Sequence, residues 1–207
     1  VFALECEALL AGDNPFHIKP YVMKITPTSA RVAWVSQGKV PAGSVTVGDD
    51  ATAHAPEVAE LPDTICRLHS VVLEGLQPGT AYEYRASCGG QSLQGSFKTA
   101  PAGPAPFAFC VIGDTQSYNP GLQPLLDDMA RENAEVIVHV GDITDRGNMW
   151  GEWKASFFDP GWCYLQKAVF APAYGNHDGG PYFPRLLGLS PFWYSFDYGD
   201  AHFIILD

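Results

Sequence analysis

Two short apolar segments of this chain end abruptly in Gly-Asp, and a third runs into Gly-Asn-His-Asp. The fullest is Val136-Ile137-Val138-His139-Val140-Gly141-Asp142, continuing Ile143-Thr144-Asp145-Arg146-Gly147. The others are Phe107–Asp114 and Phe170–Tyr174, the latter followed by Gly175-Asn176-His177-Asp178. Near-continuous apolar runs fit strands covered on both faces of a parallel sheet. Such a sheet delivers the residues after its strands to one crevice at their C-terminal ends. Asp114, Asp142 and Asn176–His177 are therefore expected to converge.

The segment between the first two runs supports that topology. Gly121–Ala134 carries leucines, Met129 and charges at helical spacing. Strand, helix and strand in this order fit a right-handed βαβ crossover. Trp150–Phe158 and Tyr164–Phe170 read as further helices, and Phe192–Asp197 with Ala201–Leu206 as a hairpin around Tyr-Gly-Asp.

Residues 1–100 have a different grammar. Tyr21–Ile25, Ala30–Ser36, Ser44–Gly48, Arg67–Leu73, Tyr82–Cys88 and Ser92–Lys98 read as short strands separated by Pro, Gly, Asp and Ser turns. Val32, Trp34, Val71, Leu73, Tyr82 and Tyr84 give period-two apolar faces, so a small β-sandwich is expected. Pro101–Pro106 alternates proline with small residues and reads as a stiff connection. The expected division is a sandwich over 1–102, a linker over 103–106 and an α/β part over 107–207.

With 207 residues and 46% hydrophobic content, the chain can build a substantial core. The net charge of −11 disfavours nucleic acid and anionic membranes as partners, and no stretch has transmembrane length. It leaves a phosphorylated substrate open, because bound cations set the local field in a cleft. Of five cysteines, no pair has zinc-knuckle or redox spacing. Cys110 is expected as a buried thiol, and a Cys66–Cys88 bridge is possible. The start at Val1 suggests a processed or trimmed end, and compartment leans toward export, secreted or periplasmic.

The chemistry of the converging residues points to metal. Asp142 can bridge two cations, a geometry that clamps the attacking and leaving oxygens of phosphoryl transfer. Asp145 can orient a histidine without ligating. Asn176 offers a hard amide oxygen, and His177 a proton donor near neutral pH. The competing readings are turn-forming Asp and Asn residues, and a surface ion pair for Arg146.

Taken in order, Gly113-Asp114, Gly141-Asp142-Ile143-Thr144-Asp145 and Gly175-Asn176-His177-Asp178 resemble the blocks of the calcineurin-like metallophosphoesterase superfamily. The resemblance implies the front part of a four-layer α/β/β/α domain. It makes Asp114 a ligand of a first metal, Asp142 the bridge and Asn176 a ligand of a second. It has His177, paired with Asp145, contact the phosphoryl group, with Arg146 helping to hold phosphate. It implies two di- or trivalent ions (Fe, Mn, Zn or Mg) and hydrolysis of a phosphoester or phosphorylated small molecule.

The chain departs from that pattern. Gln116 stands where the family's Asp-x-His block has histidine. No Gly-His or Gly-His-x-His block follows His177, and His202 reads as a strand residue. A non-catalytic binding or structural protein with a degenerate or truncated phosphoesterase domain is therefore the alternative.

Ala33-Trp34-Val35, Val45–Gly48, Leu73–Arg85 and Gly95–Pro101 resemble the fibronectin type III-like N-terminal domain of purple acid phosphatases. In that group a tyrosine stands where this chain has Asp145. A colourless protein is therefore expected, since no phenolate is available there for charge transfer to iron.

Overall fold

The computed structural model describes residues 14–41, 43–117 and 122–207. The first part is a sandwich of two four-stranded antiparallel sheets. β1 (Ile18–Met23), β2 (Ser29–Gln37), β6 (Cys66–Glu74) and β5 (Glu57–Glu60) form one sheet. The other has the order β4 (Asp50–His54), β3 (Ser44–Val47), β7 (Ala81–Cys88) and β8 (Gln91–Lys98). All six expected strands are present. β4 and β5 are additional. Both are sheet edges, and every residue of them except the half-buried His54 is exposed, so they carry no apolar alternation to read.

Trp34 is completely buried between the sheets beside Val32, Val71 and Leu73. Its indole stacks on His69 at 5.1 Å between ring centroids, and Ser36 Oγ lies 2.8 Å from His69 Nε2. β2 does not alternate in burial, however: seven consecutive residues, Ala30–Ser36, are buried. Val32 and Trp34 face the sandwich core, whereas Ala33 and Val35 join Tyr21, Met23, Phe157, Phe158 and Leu186 in a second cluster. The outer face of the β1–β2 sheet is thus a packing surface for the second part of the chain.

That second part is built on a parallel sheet of order β11 (Val169–Pro172), β10 (Val136–His139) and β9 (Phe109–Ile112). α1 (Leu122–Arg131) makes the expected crossover and buries Leu122, Leu126 and Met129. A helical segment follows as α2 (Trp150–Glu152), a π-helical stretch (Trp153–Phe158) and α3 (Asp159–Leu165). α4 (Tyr182–Leu187) and the hairpin β12 (Tyr194–Tyr198)–β13 (Ala201–Ile205) complete it.

Four expectations need correction. The helix read over Tyr164–Phe170 ends at Leu165, and Val169 already belongs to β11, because that segment supplies the third parallel strand. β9 is not covered on both faces: it is a sheet edge, with Phe109 and Val111 more than half exposed. Cys110 is only partly buried for the same reason. Cys66 and Cys88 are free thiols, sitting on different sheets and in different core clusters. Cys6 lies outside the described residues.

Candidate active site

The three loops that leave the parallel strands are tied together by bonds from backbone N–H groups. Asp114 N–H donates to Gly141 O at 3.1 Å, and Gln116 N–H donates to Asp142 O at 3.2 Å. His177 N–H donates to Asp142 Oδ1 at 3.0 Å, joining the third loop to the second. Asp114 and Asp142 both adopt left-handed backbone, with φ of 53° and 57°. Non-glycine residues are uncommon there, and such conformations gather at functional sites whose surroundings enforce them. A glycine is required opposite: a Cβ on Gly175 would overlap Asp142 N and Oδ1.

Asp178 holds these loops together, although it stood in the Gly-Asn-His-Asp block without a role. It is completely buried. Its Oδ1 accepts Ile143 N–H at 2.8 Å and Thr144 N–H at 3.1 Å, and its Oδ2 accepts Gly175 N–H at 3.0 Å. Burial pushes its carboxyl above the usual range, opposed by the three donors.

His139 is the second residue that sequence reasoning passed over. Its ring is fully buried at the end of β10. Gly141 N–H donates to Nδ1 at 3.3 Å, so the neutral ring carries its proton on Nε2, which meets Thr115 Oγ1 at 2.9 Å. Thr115 in turn donates to Ile143 O at 3.4 Å. Burial lowers the His139 pKa to about 4, partly offset by Asp142. A histidine inside an otherwise aliphatic strand was the available signal.

His177 is half-exposed at the crevice. Its Nδ1–H donates to the backbone carbonyl of Asp145 at 2.8 Å, while the Asp145 carboxylate stands 4.0 Å away. The carbonyl bond, above all, raises the imidazole pKa. Nε2 has no partner among the described residues. Arg146 uses Nε and its backbone N–H to hold Glu152, at 2.7 and 2.6 Å. Asn176 is exposed beside His177. His202 faces Asp197 across the hairpin, with Nδ1 and Oδ1 2.6 Å apart, as a strand residue.

Among the described residues, no three histidine, cysteine or carboxylate side chains converge as a metal-holding group. The donor set that does line these loops is two carboxylates, Asp114 and Asp142, and two amides, Gln116 and Asn176. Gln116 Oε1 is a buried acceptor without a hydrogen-bond partner among the described residues. Hard oxygen donors with one acceptor left open fit a di- or trivalent cation.

Known families match both parts. Residues 107–205 match the calcineurin-like phosphoesterase model, and residues 15–99 match the purple acid phosphatase N-terminal domain. The second part of the chain is a calcineurin-like phosphoesterase domain. A search of curated proteins returned no match.

Two solved structures share the fold of this chain. A purple acid phosphatase from seeds of yellow lupin (Lupinus luteus) is 18% identical, with a TM-score of 0.70 over 89% of this chain and 43% of the lupin chain. PhoD is 16% identical, with a TM-score of 0.70 over 97% of this chain and 53% of its own. The chain thus spans about half the length of these two solved structures.

Proposed function

We propose that this protein hydrolyses phosphate esters at a two-metal site formed with Asp114, Asp142 and Asn176. The observation that carries the reading is the joining of the three ordered loops by the Asp114 N–Gly141 O and His177 N–Asp142 Oδ1 bonds. This supports the reading because the loops leave the C-terminal ends of adjacent parallel strands, where α/β sheets bind ligands.

Asp114, Asp142 and Asn176 would hold the ions, with the Gln116 amide oxygen as a further donor. Bound ions of Fe, Mn, Zn or Mg would supply Lewis acidity toward the phosphoryl oxygens and a nucleophile at neutral pH. The protein's own residues have separate tasks. His177, its Nδ1–H fixed on Asp145 O, presents Nε2 toward substrate. With a raised pKa it holds a proton there and passes it to the leaving oxygen. Asp145 supports the imidazolium form from 4.0 Å. Arg146 has terminal guanidinium nitrogens beyond its Nε–Glu152 bond, and these would contact a phosphate oxygen.

The test is turnover of p-nitrophenyl phosphate alongside bis(p-nitrophenyl) phosphate, with metal content measured on the same sample. Activity with bound metal, reduced at least a hundredfold in Asp142→Asn and in His177→Ala, supports the reading. Turnover indifferent to both substitutions refutes it. A folded protein that binds no divalent cation and turns over neither ester favours a non-catalytic binding role.

A further inference from the structure

Away from the crevice, a cavity of about 320 Å³ lies where the sandwich meets the phosphoesterase part. Its walls are mainly apolar: Met23 at the end of β1 and Ile25 just beyond it, Phe170 from β11, Leu189 after α4, and Tyr194 and Phe196 from β12. Its size falls at the lower end for small-molecule sites, which favour such boundaries between structural units.

Two cationic side chains lie beside one wall residue of this cavity, Gly188. Gly188, a wall residue, ends α4 in left-handed backbone with φ of 67°. A Cβ built there would lie 3.0 Å from Arg31 Nη1 and 3.4 Å from Lys24 Cε. Arg31 is only 9% exposed. Its Nη1 donates to Leu186 O at 3.2 Å, and among the described residues no carboxylate pairs with it and no other acceptor takes its remaining N–H groups. Lys24, itself a wall residue, also has no carboxylate partner among them. In a chain of net charge −11, two unpaired cations beside an apolar cavity are a selective feature. The α4 C-terminal carbonyl accounts for one Arg31 donor and leaves the rest of the fork.

We infer that this cavity binds a small amphipathic carboxylate, its apolar body against Met23, Phe170 and Tyr194 and its head between Lys24 and Arg31. The planar guanidinium matches a carboxylate, and the ammonium supplies a second charge-assisted contact. The site is remote in chemistry from the carboxylate-lined crevice, which would repel the same ligand unless metal were bound.

Isothermal titration calorimetry of the full chain with octanoate tests the inference, with 1-octanol as the neutral counterpart and octyl phosphate as the alternative anion. Expected is one saturable site, about tenfold tighter for octanoate than for octanol. Lys24→Ala should weaken it about tenfold, and Lys24→Glu, which reverses the charge at the proposed head site, should abolish it. Lys24 is exposed, so the fold persists; Arg31→Ala is unsuitable because that side chain anchors α4. Equal affinity for octanol, tighter binding of octyl phosphate, binding unmoved by both substitutions, or no saturable binding would each overturn it.

Discussion

Asp178 Oδ1 accepts the backbone N–H of Ile143 from 35 residues away, at 2.8 Å and fully out of solvent. The same oxygen takes Thr144 N–H, and the other takes Gly175 N–H. One carboxylate therefore sets the loop carrying Asp142 against the loop carrying Asn176 and His177. Its replacement by Asn keeps the shape but turns an NH2 group toward backbone donors. Asp178→Asn is expected to cost about 2–3 kcal/mol in urea unfolding, and a loss under about 0.5 kcal/mol would show that the clamp is dispensable.

His139 gives an acid sensitivity whose sign is fixed by its burial. Its folded pKa of about 4 lies below the ordinary value of 6.5. The fold thus prefers the neutral ring, and that stability is complete above pH 6.5. It declines as pH falls from 6.5 toward 4, by up to about 3 kcal/mol at about 1.4 kcal/mol per pH unit. Chemical unfolding of the wild type and His139→Asn across this window isolates the contribution, since carboxylates titrate in both. Parallel stability–pH curves would contradict the assignment.

Gly175 is expected to tolerate no side chain. Its Cβ would overlap the backbone N and the Oδ1 of Asp142, neither of which can swing aside without breaking the His177 N–H bond. Gly175→Ala should destabilise by about 1–3 kcal/mol and lower divalent-cation affinity measured by calorimetry. The control Gly151→Ala, where a Cβ meets open space, should leave both unchanged.

Glu135 joins the two parts of the chain. Its Oε2 accepts Tyr198 OH at 2.6 Å and Lys98 Nζ at 3.0 Å. Lys98 is half-exposed, so its ion pair is screened and Lys98→Ala should cost under about 1 kcal/mol, less at high salt. Tyr198 is buried, and Tyr198→Phe should cost about 1–2 kcal/mol without salt dependence. A double-mutant cycle in thermal or urea unfolding measures both; a larger, salt-insensitive loss at Lys98 would reverse the ranking.

Much of this was legible because it is local. The apolar runs before Gly113-Asp114, Gly141-Asp142 and Gly175-Asn176 specify strands and turns within a few residues, and β9, α1 and β10 followed as read. The six sandwich strands did too, since alternation and turn residues are short-range signals. Edge strands β4 and β5 were illegible because mostly exposed polar residues pair through backbone alone. Asp178 and His139 were missed for a related reason: a buried hydrogen-bond acceptor looks identical in sequence to a solvated one.

By itself, then, the sequence determined most strand and helix segments, their grouping into an antiparallel and a parallel part, and which polar residues follow the parallel strands. Tertiary structure alone decided which faces are covered. Ala33 and Val35 occupy the outward positions of β2, yet they are buried, because Tyr21 OH and Arg31 reach Leu186 O and draw the second part onto that sheet. It also decided the partner of His177, a backbone carbonyl rather than the Asp145 carboxylate. Periodicity records which residues are apolar, but burial and hydrogen-bond partners depend on what the chain places opposite them from far along its length.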